Sequence, residues 1–137
     1  MAFAERLGRR LKGGEVIELV SDIGGGKTTF VGGLARGMGS KDHVSSPTFT
    51  ISNVYQAQEL TMHHFDFYRL LEAGIMRDEL AEVLHDPNAV VVIEWADIVE
   101  DVLPIDKLKI AITTTGETSR HYDIYATDEL NYLLREL

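Results

Sequence analysis

Apolar positions change their period several times along the chain, and each change marks an element. Phe3, Leu7, Arg10 and Leu11 recur at helical spacing, and Gly13-Gly14 stops the pattern, which predicts a short amphipathic helix. Val16-Ile17-Glu18-Leu19-Val20 then reads as a strand. Residues 27–38 read as a helix that buries Phe30, Val31, Leu34, Ala35 and Met38. Gly32 and Gly33 inside it each weaken a helix by about 1 kcal/mol relative to alanine, so they either permit close packing or mark a weak element. Residues 39–46 are polar and turn-like, and Ser46 before Pro47 is pushed toward an extended conformation.

Residues 48–55 alternate as a strand, 56–59 turn, and 60–70 form a second strand. His64, Asp66 and Tyr68 fall on one face of it, Phe65 and Phe67 on the other, which predicts a polar working face opposite a core face. Residues 77–84 have helical periodicity, and Asp86-Pro87-Asn88 is a turn. The run from Ala89 to Ile93 is unbroken and β-branched and ends in Glu94-Trp95, the profile of a central parallel strand buried on both sides. Residues 107–114 and 120–126 pair as an antiparallel hairpin, after which Thr127 caps a closing helix with Leu130, Leu133 and Leu134 inward. The expected architecture is an α/β sheet, mixed in strand direction, flanked by helices.

Between the first strand and its helix stands Ser21-Asp22-Ile23-Gly24-Gly25-Gly26-Lys27-Thr28. Glycines without Cβ let successive backbone N–H groups converge on phosphate oxygens, and the following helix presents its positive dipole end. In the phosphate-loop pattern the lysine at position 27 reaches the β- and γ-phosphates and the Thr28 hydroxyl ligates Mg²⁺. That pattern has glycine at the loop entrance, where this chain has Ser21; a serine fits there if its φ is negative. The competing reading is a Gly-rich turn with a surface lysine. The motif refines the fold expectation to a three-layer sandwich of the P-loop nucleoside triphosphatase type, with a mainly parallel sheet and a C-terminal antiparallel hairpin.

Ligands of open α/β sheets sit at the carboxyl ends of parallel strands, so Glu94 is expected beside the loop that follows Val20. Mg²⁺ keeps most of its waters, and a threonine hydroxyl, two phosphate oxygens and waters anchored by Glu94 or Asp66 complete an octahedron that neutralises charge on the transferring phosphoryl group. The plainer reading of Glu94 is a charged residue where a strand meets solvent.

At 137 residues and 45% hydrophobic content the chain is expected to be one domain spanning 1–137, too short for a separate substrate domain and lid. Thirteen basic against 22 acidic side chains, a net charge of −9, oppose a direct grip on nucleic acid, so work on RNA is expected to pass through a partner. There is no cysteine, no apolar run of membrane-spanning length and no signal-peptide pattern, which predicts a soluble cytoplasmic protein. His63 and His64 read as structural residues, Phe65 and Phe67 as core, and the acidic stretch 97–101 with Glu117 as solvated surface.

Four segments carry a resemblance: 23–30 around Gly-Gly-Gly-Lys-Thr-Thr, Ser46-Pro47-Thr48-Phe49-Thr50, His64-Phe65-Asp66-Phe67-Tyr68-Arg69, and Ile93-Glu94-Trp95. In order and separation they resemble the bacterial threonylcarbamoyladenosine biosynthesis ATPase family, TsaE (YjeE). The resemblance implies a small Mg²⁺- and ATP-dependent P-loop ATPase that works with the TsaB–TsaD heterodimer on the adenosine adjoining the anticodon of tRNA, meeting tRNA only through those partners. It further implies that Ile23, Gly24, Gly25, Gly26, Lys27, Thr28 and Thr29 hold the nucleotide, that Thr28 and Glu94 serve magnesium, and that Thr48 senses the γ-phosphate. Asp66 matches an aspartate that orients water or holds the metal shell. Trp95 matches a tryptophan near the active site, with core packing as the rival reading, and Arg120 falls where the family has a nucleotide-contacting arginine. Gly25 stands where alanine is common and Ala96 where proline is usual. Members of the family carry further residues upstream of the position of Met1 that help enclose the adenine, so weak discrimination between bases is also implied. With no arginine finger evident near the loop, hydrolysis is expected to be slow without partners. The rival functions are a nucleotide-sensing scaffold that docks a partner when ATP is bound, and a small-molecule phosphotransferase.

Overall fold

The computed structural model describes residues 2–21, 26–42, 52–67, 75–117 and 119–135. Apolar runs that the sequence marks as strands become β1 (Val16–Val20), β2 (Ser52–Gln56), β3 (Thr61–Asp66), β4 (Ala89–Glu94), β5 (Leu108–Thr114) and β6 (Arg120–Tyr125). They form one sheet in the order β2-β3-β4-β1-β5-β6. The pairs β3·β4, β4·β1 and β1·β5 are parallel, and β2·β3 and β5·β6 are antiparallel hairpins at the two edges. Every residue of β4 is buried, as its unbroken Val-Val-Val-Ile run requires of a strand covered on both faces.

Helices α1 (Ala2–Gly8) and α2 (Lys27–Met38) cover one face, where Leu7, Phe30 and Leu34 pack on Ile17, Leu19, Val90 and Val92. Helix α3 (Ile75–Val83) and a 3₁₀ segment, Ala96–Val102, lie on the other, where Leu80 and Val99 meet Phe65, Val91 and Ile93. The three-layer α/β sandwich is thus as expected. The polar working face of the second strand is not: His64 is as fully buried as Phe65, because layers cover both sides of the sheet there. β3 also ends at Asp66, and Phe67 follows it with its N–H on the Glu94 carbonyl at 3.1 Å. The expected helix at 77–84 is observed as Ile75–Val83. Residues 48–51 and 68–70, read as strand, lie outside the described residues.

The closing helix is a 3₁₀ turn, Asp128–Leu133, and Thr127 does not cap it through its side chain. The Leu130 N–H bonds instead to the Thr127 carbonyl at 2.9 Å, as 3₁₀ winding requires, and the Thr127 hydroxyl is buried without a partner among the described residues. Leu130 and Leu133 are buried as expected. The turn is tied to the start of β1 by the Tyr132 hydroxyl, which donates to the buried Glu15 carboxylate at 2.5 Å.

Helices α1 and α2 cross at two glycines that periodicity does not single out. A Cβ on Gly37 would sit 2.1 Å from the Glu5 carbonyl oxygen, and one on Gly8 2.3 Å from that of Leu34. In an open helix Gly→Ala gains about 1 kcal/mol. Here Gly37→Ala is expected to lose about 1–3 kcal/mol, because a backbone must move. Urea denaturation measures the sign, and a stabilised variant would contradict so close a crossing.

Candidate functional site

The parallel register sets one row of polar groups at the carboxyl ends of the central strands. Glu94 pairs in register with Leu19 of β1 on one side and with Asp66 of β3 on the other. Val20 and Ser21 follow Leu19 at the top of β1, and α2 begins at Lys27 directly above. Gly26, at the N-terminus of α2, has φ 94°, a left-handed conformation that glycine adopts without strain. Its carbonyl accepts the Phe30 N–H at 2.9 Å, so the N–H groups of the first turn, including those of Thr28 and Thr29, stand at the positive end of the helix. Ser21, at the loop entrance, meets the condition its substitution sets: among the described residues Trp95 is the one non-glycine with positive φ. Ile23, Gly24, Gly25 and Thr48 lie outside the described residues.

Lys27 and Glu94 meet in a nearly closed environment. Lys27 Nζ is 3.3 Å from Glu94 Oε1, with side-chain exposures of 10% and 4%, and 3.4 Å from the Ser21 carbonyl oxygen. The other carboxylate oxygen, Oε2, contacts Nε2 of His64, which is wholly buried. Burial is the largest single influence on Glu94 and pushes its pKa up. The hydrogen bond and charge of His64, followed by Lys27, outweigh it and hold the carboxyl below its ordinary value. Glu94 is therefore a buried carboxylate engaged by two protein groups, not a charge at the solvent boundary. Sequence reading missed His64 as its partner. The available signal was the two-residue spacing that puts His64 and Asp66 on one face of β3, but the strand next to it was not legible.

Trp95 is not a core residue. It is 40% exposed, has φ 58°, and holds its ring 5.3 Å from Lys27 Nζ. A left-handed tryptophan is strained, a feature that concentrates at functional sites. The segment after it is held by ion pairs: Lys107 Nζ joins Glu100 at 2.5 Å to Glu18 at 2.8 Å, and Arg77 grips Asp101 through both of its terminal nitrogens. The acidic stretch read as solvated surface is exposed at Glu100 and Asp101, yet anchored. Between the tops of β1 and β5 and this segment opens a cavity of about 460 Å³, lined among others by Ser21, Lys27, Trp95, Asp97 and Thr113.

Arg120, at the start of β6, lies over the phosphate-loop glycine: a Cβ on Gly26 would come 3.2 Å from its Nε. The antiparallel pairing of Arg120 with Thr114 carries this cation to the loop from far along the chain. The structure therefore brings together Gly26, Lys27, Thr28, Glu94, Trp95 and Arg120, with Asp66 in register beside Glu94.

These donors suit a magnesium–triphosphate pair. Among the described residues no cluster of three or more His, Cys, Asp or Glu could hold a metal alone. Hard oxygens from Thr28, Glu94 and Asp66 match the few protein ligands that Mg²⁺ takes when phosphates and water supply the rest. No helix among the described residues is long and apolar enough to cross a membrane.

The sequence profile of the family described as threonylcarbamoyl adenosine biosynthesis protein TsaE matches residues 1–127. The tRNA threonylcarbamoyladenosine biosynthesis protein TsaE of Bacillus subtilis (strain 168) is 38% identical over 130 residues, covering 91% of this chain and 78% of the relative. The protein of the same name from Treponema pallidum (strain Nichols) is 36% identical over 118 residues, covering 86% and 87%. The crystal structure of Bacillus subtilis YdiB superposes with a TM-score of 0.74 at 32% identity, over 98% of this chain and 84% of that one.

Proposed function

The chain belongs to the threonylcarbamoyl adenosine biosynthesis protein TsaE family, and on that premise we propose that it is a P-loop ATPase of tRNA threonylcarbamoyladenosine formation. In this reading the protein is one domain that binds Mg·ATP at the carboxyl ends of β1 and β4 and acts with a TsaB–TsaD heterodimer, tRNA being met through those partners. A net charge of −9 accords with an indirect contact to tRNA.

The observation that carries the reading is the convergence of Lys27, Glu94 and the left-handed Gly26 at the start of α2. The amides of residues 24–27 and the Lys27 ammonium hold the triphosphate, Ile23 and Thr29 flank it, and Arg120 reaches it across Gly26. Thr28 and Glu94 hold magnesium, which supplies charge neutralisation at the transferring phosphoryl group. Asp66 orients water or supports the metal shell, and Thr48 senses the γ-phosphate. Glu94 and an incoming phosphate would compete for the Lys27 ammonium, so a lysine that turns to phosphate releases the Glu94 oxygen.

The test is ATP binding and phosphate release by the purified protein, alone and with TsaB–TsaD and tRNA. Slow release alone, acceleration by the partners, and loss of tRNA modification with a nonhydrolysable analogue are expected. Equal modification with the analogue would favour a scaffold that only senses ATP. No Mg·ATP binding at millimolar concentration would overturn the reading.

A further inference from the structure

The two oxygens of Glu94 have different partners. Oε1 faces Lys27 at 3.3 Å, at the edge of the nucleotide site, whereas Oε2 faces inward to His64. An ionised carboxylate only accepts hydrogen bonds, so Nε2 of His64 is the donor, and Nδ1 lies on the far edge of the ring. Nδ1 is buried with no partner among the described residues. An apolar side chain would fill this place, between Met62 and Asp66 on β3 and across from Val92, without an orphaned atom. Packing alone therefore does not account for an imidazole here.

We propose that His64 is the positioning residue for Glu94, its Nε2–H anchoring Oε2 so that Oε1 alone is presented to Lys27 and the bound nucleotide. The terminal torsion of a glutamate is broad and roughly two-fold, and a carboxylate at a strand end with one partner turns freely about it. His64 removes that freedom from inside the fold. When Lys27 transfers to phosphate, Oε1 is left free and already aimed, because the contact on Oε2 does not change. The inference rests on the nucleotide-binding reading above.

The experiment compares wild type with His64→Gln, whose amide N–H can replace the donor, and His64→Leu, which cannot donate. Two readouts are used: kcat and KM for ATP in the presence of the partner complex, and nucleotide affinity against Mg²⁺ concentration. Affinity is followed by the fluorescence of Trp95, the single tryptophan of the chain, whose ring lies 5.3 Å from Lys27 Nζ. His64→Leu is expected to lower kcat by about 10- to 100-fold with KM within about threefold, and to raise the Mg²⁺ midpoint about tenfold while metal-free ATP affinity holds. His64→Gln is expected to recover most of both. Wild-type kcat and Mg²⁺ midpoint in His64→Leu, or equal impairment of the two variants, would overturn the proposal. If His64→Leu fails to fold, the ring ¹⁵N shifts of the wild-type protein decide: a protonated Nε2 supports it, and a bare Nε2 overturns it. A wild-type protein whose Trp95 signal and calorimetry show no ATP binding defeats the nucleotide reading itself, a result separable from any difference among the variants.

Discussion

Lys27→Met is expected to weaken ATP binding by at least about 100-fold, since each charge-assisted contact to phosphate is worth about 1.5–3 kcal/mol and the methionine makes none. The substitution also takes from Glu94 one of its two partners. His64 remains on Oε2, so the accompanying loss of stability is expected to be about 1–3 kcal/mol, with the fold kept. Calorimetric titration with ATP, alongside a thermal melt, measures both effects. ATP binding at wild-type strength in this variant would mean that the lysine stays with Glu94 and that nucleotide binds elsewhere.

Glu94→Gln separates binding from turnover. Phosphate release is expected to fall by about 10²- to 10⁴-fold, the range for losing a group that acts in proton transfer or holds the metal shell. Metal-free ATP affinity is expected to hold or to rise, because Lys27 no longer has a carboxylate 3.3 Å away competing with phosphate. Asp66→Asn is expected to resemble it, with binding kept and hydrolysis reduced. A fall in affinity comparable to that of Lys27→Met would contradict separate roles.

The same variant predicts a pH dependence of stability. The Glu94 carboxyl is held below its ordinary value of 4.5, so the native state favours the ionised form. Its contribution is fully present above 4.5 and is lost as pH falls through the lower native value. The stability difference between wild type and Glu94→Gln is therefore expected to be flat from neutrality down to about pH 5 and to shrink in more acid solution. Urea midpoints measured across that interval check it, and a difference that grows toward low pH would reverse the sign of the argument.

Local chemistry was legible where the signal lies within a few neighbouring residues. The Gly-Gly-Gly-Lys-Thr run carries the phosphate-loop pattern between a strand and a helix, and α2 begins at Lys27 and ends at Met38, as its periodicity implies. The unbroken run before Glu94 marked β4 as central. What could not be read were meetings between distant segments. Arg120 stands far from the loop in sequence and was singled out through the resemblance alone, yet β6 lays its guanidinium against Gly26. His64 read as a structural residue on a polar face, and it is the buried partner of Glu94.

The reason lies in the sheet. Runs of valine and isoleucine buried on both faces specify that a strand is central, but they are nearly alike at every register, so pattern does not say that Asp66 lies level with Glu94. The tight crossing of α1 on α2 through Gly8 and Gly37 is of the same kind, since absent side chains leave no periodic trace. Amino-acid order alone thus indicated most of the elements and their layering around a mainly parallel sheet. Which charges share the buried Glu94 carboxylate, and which side of Trp95 faces Lys27, followed from long-range packing, because side chains far apart in sequence come within hydrogen-bond reach once the strands have chosen their register.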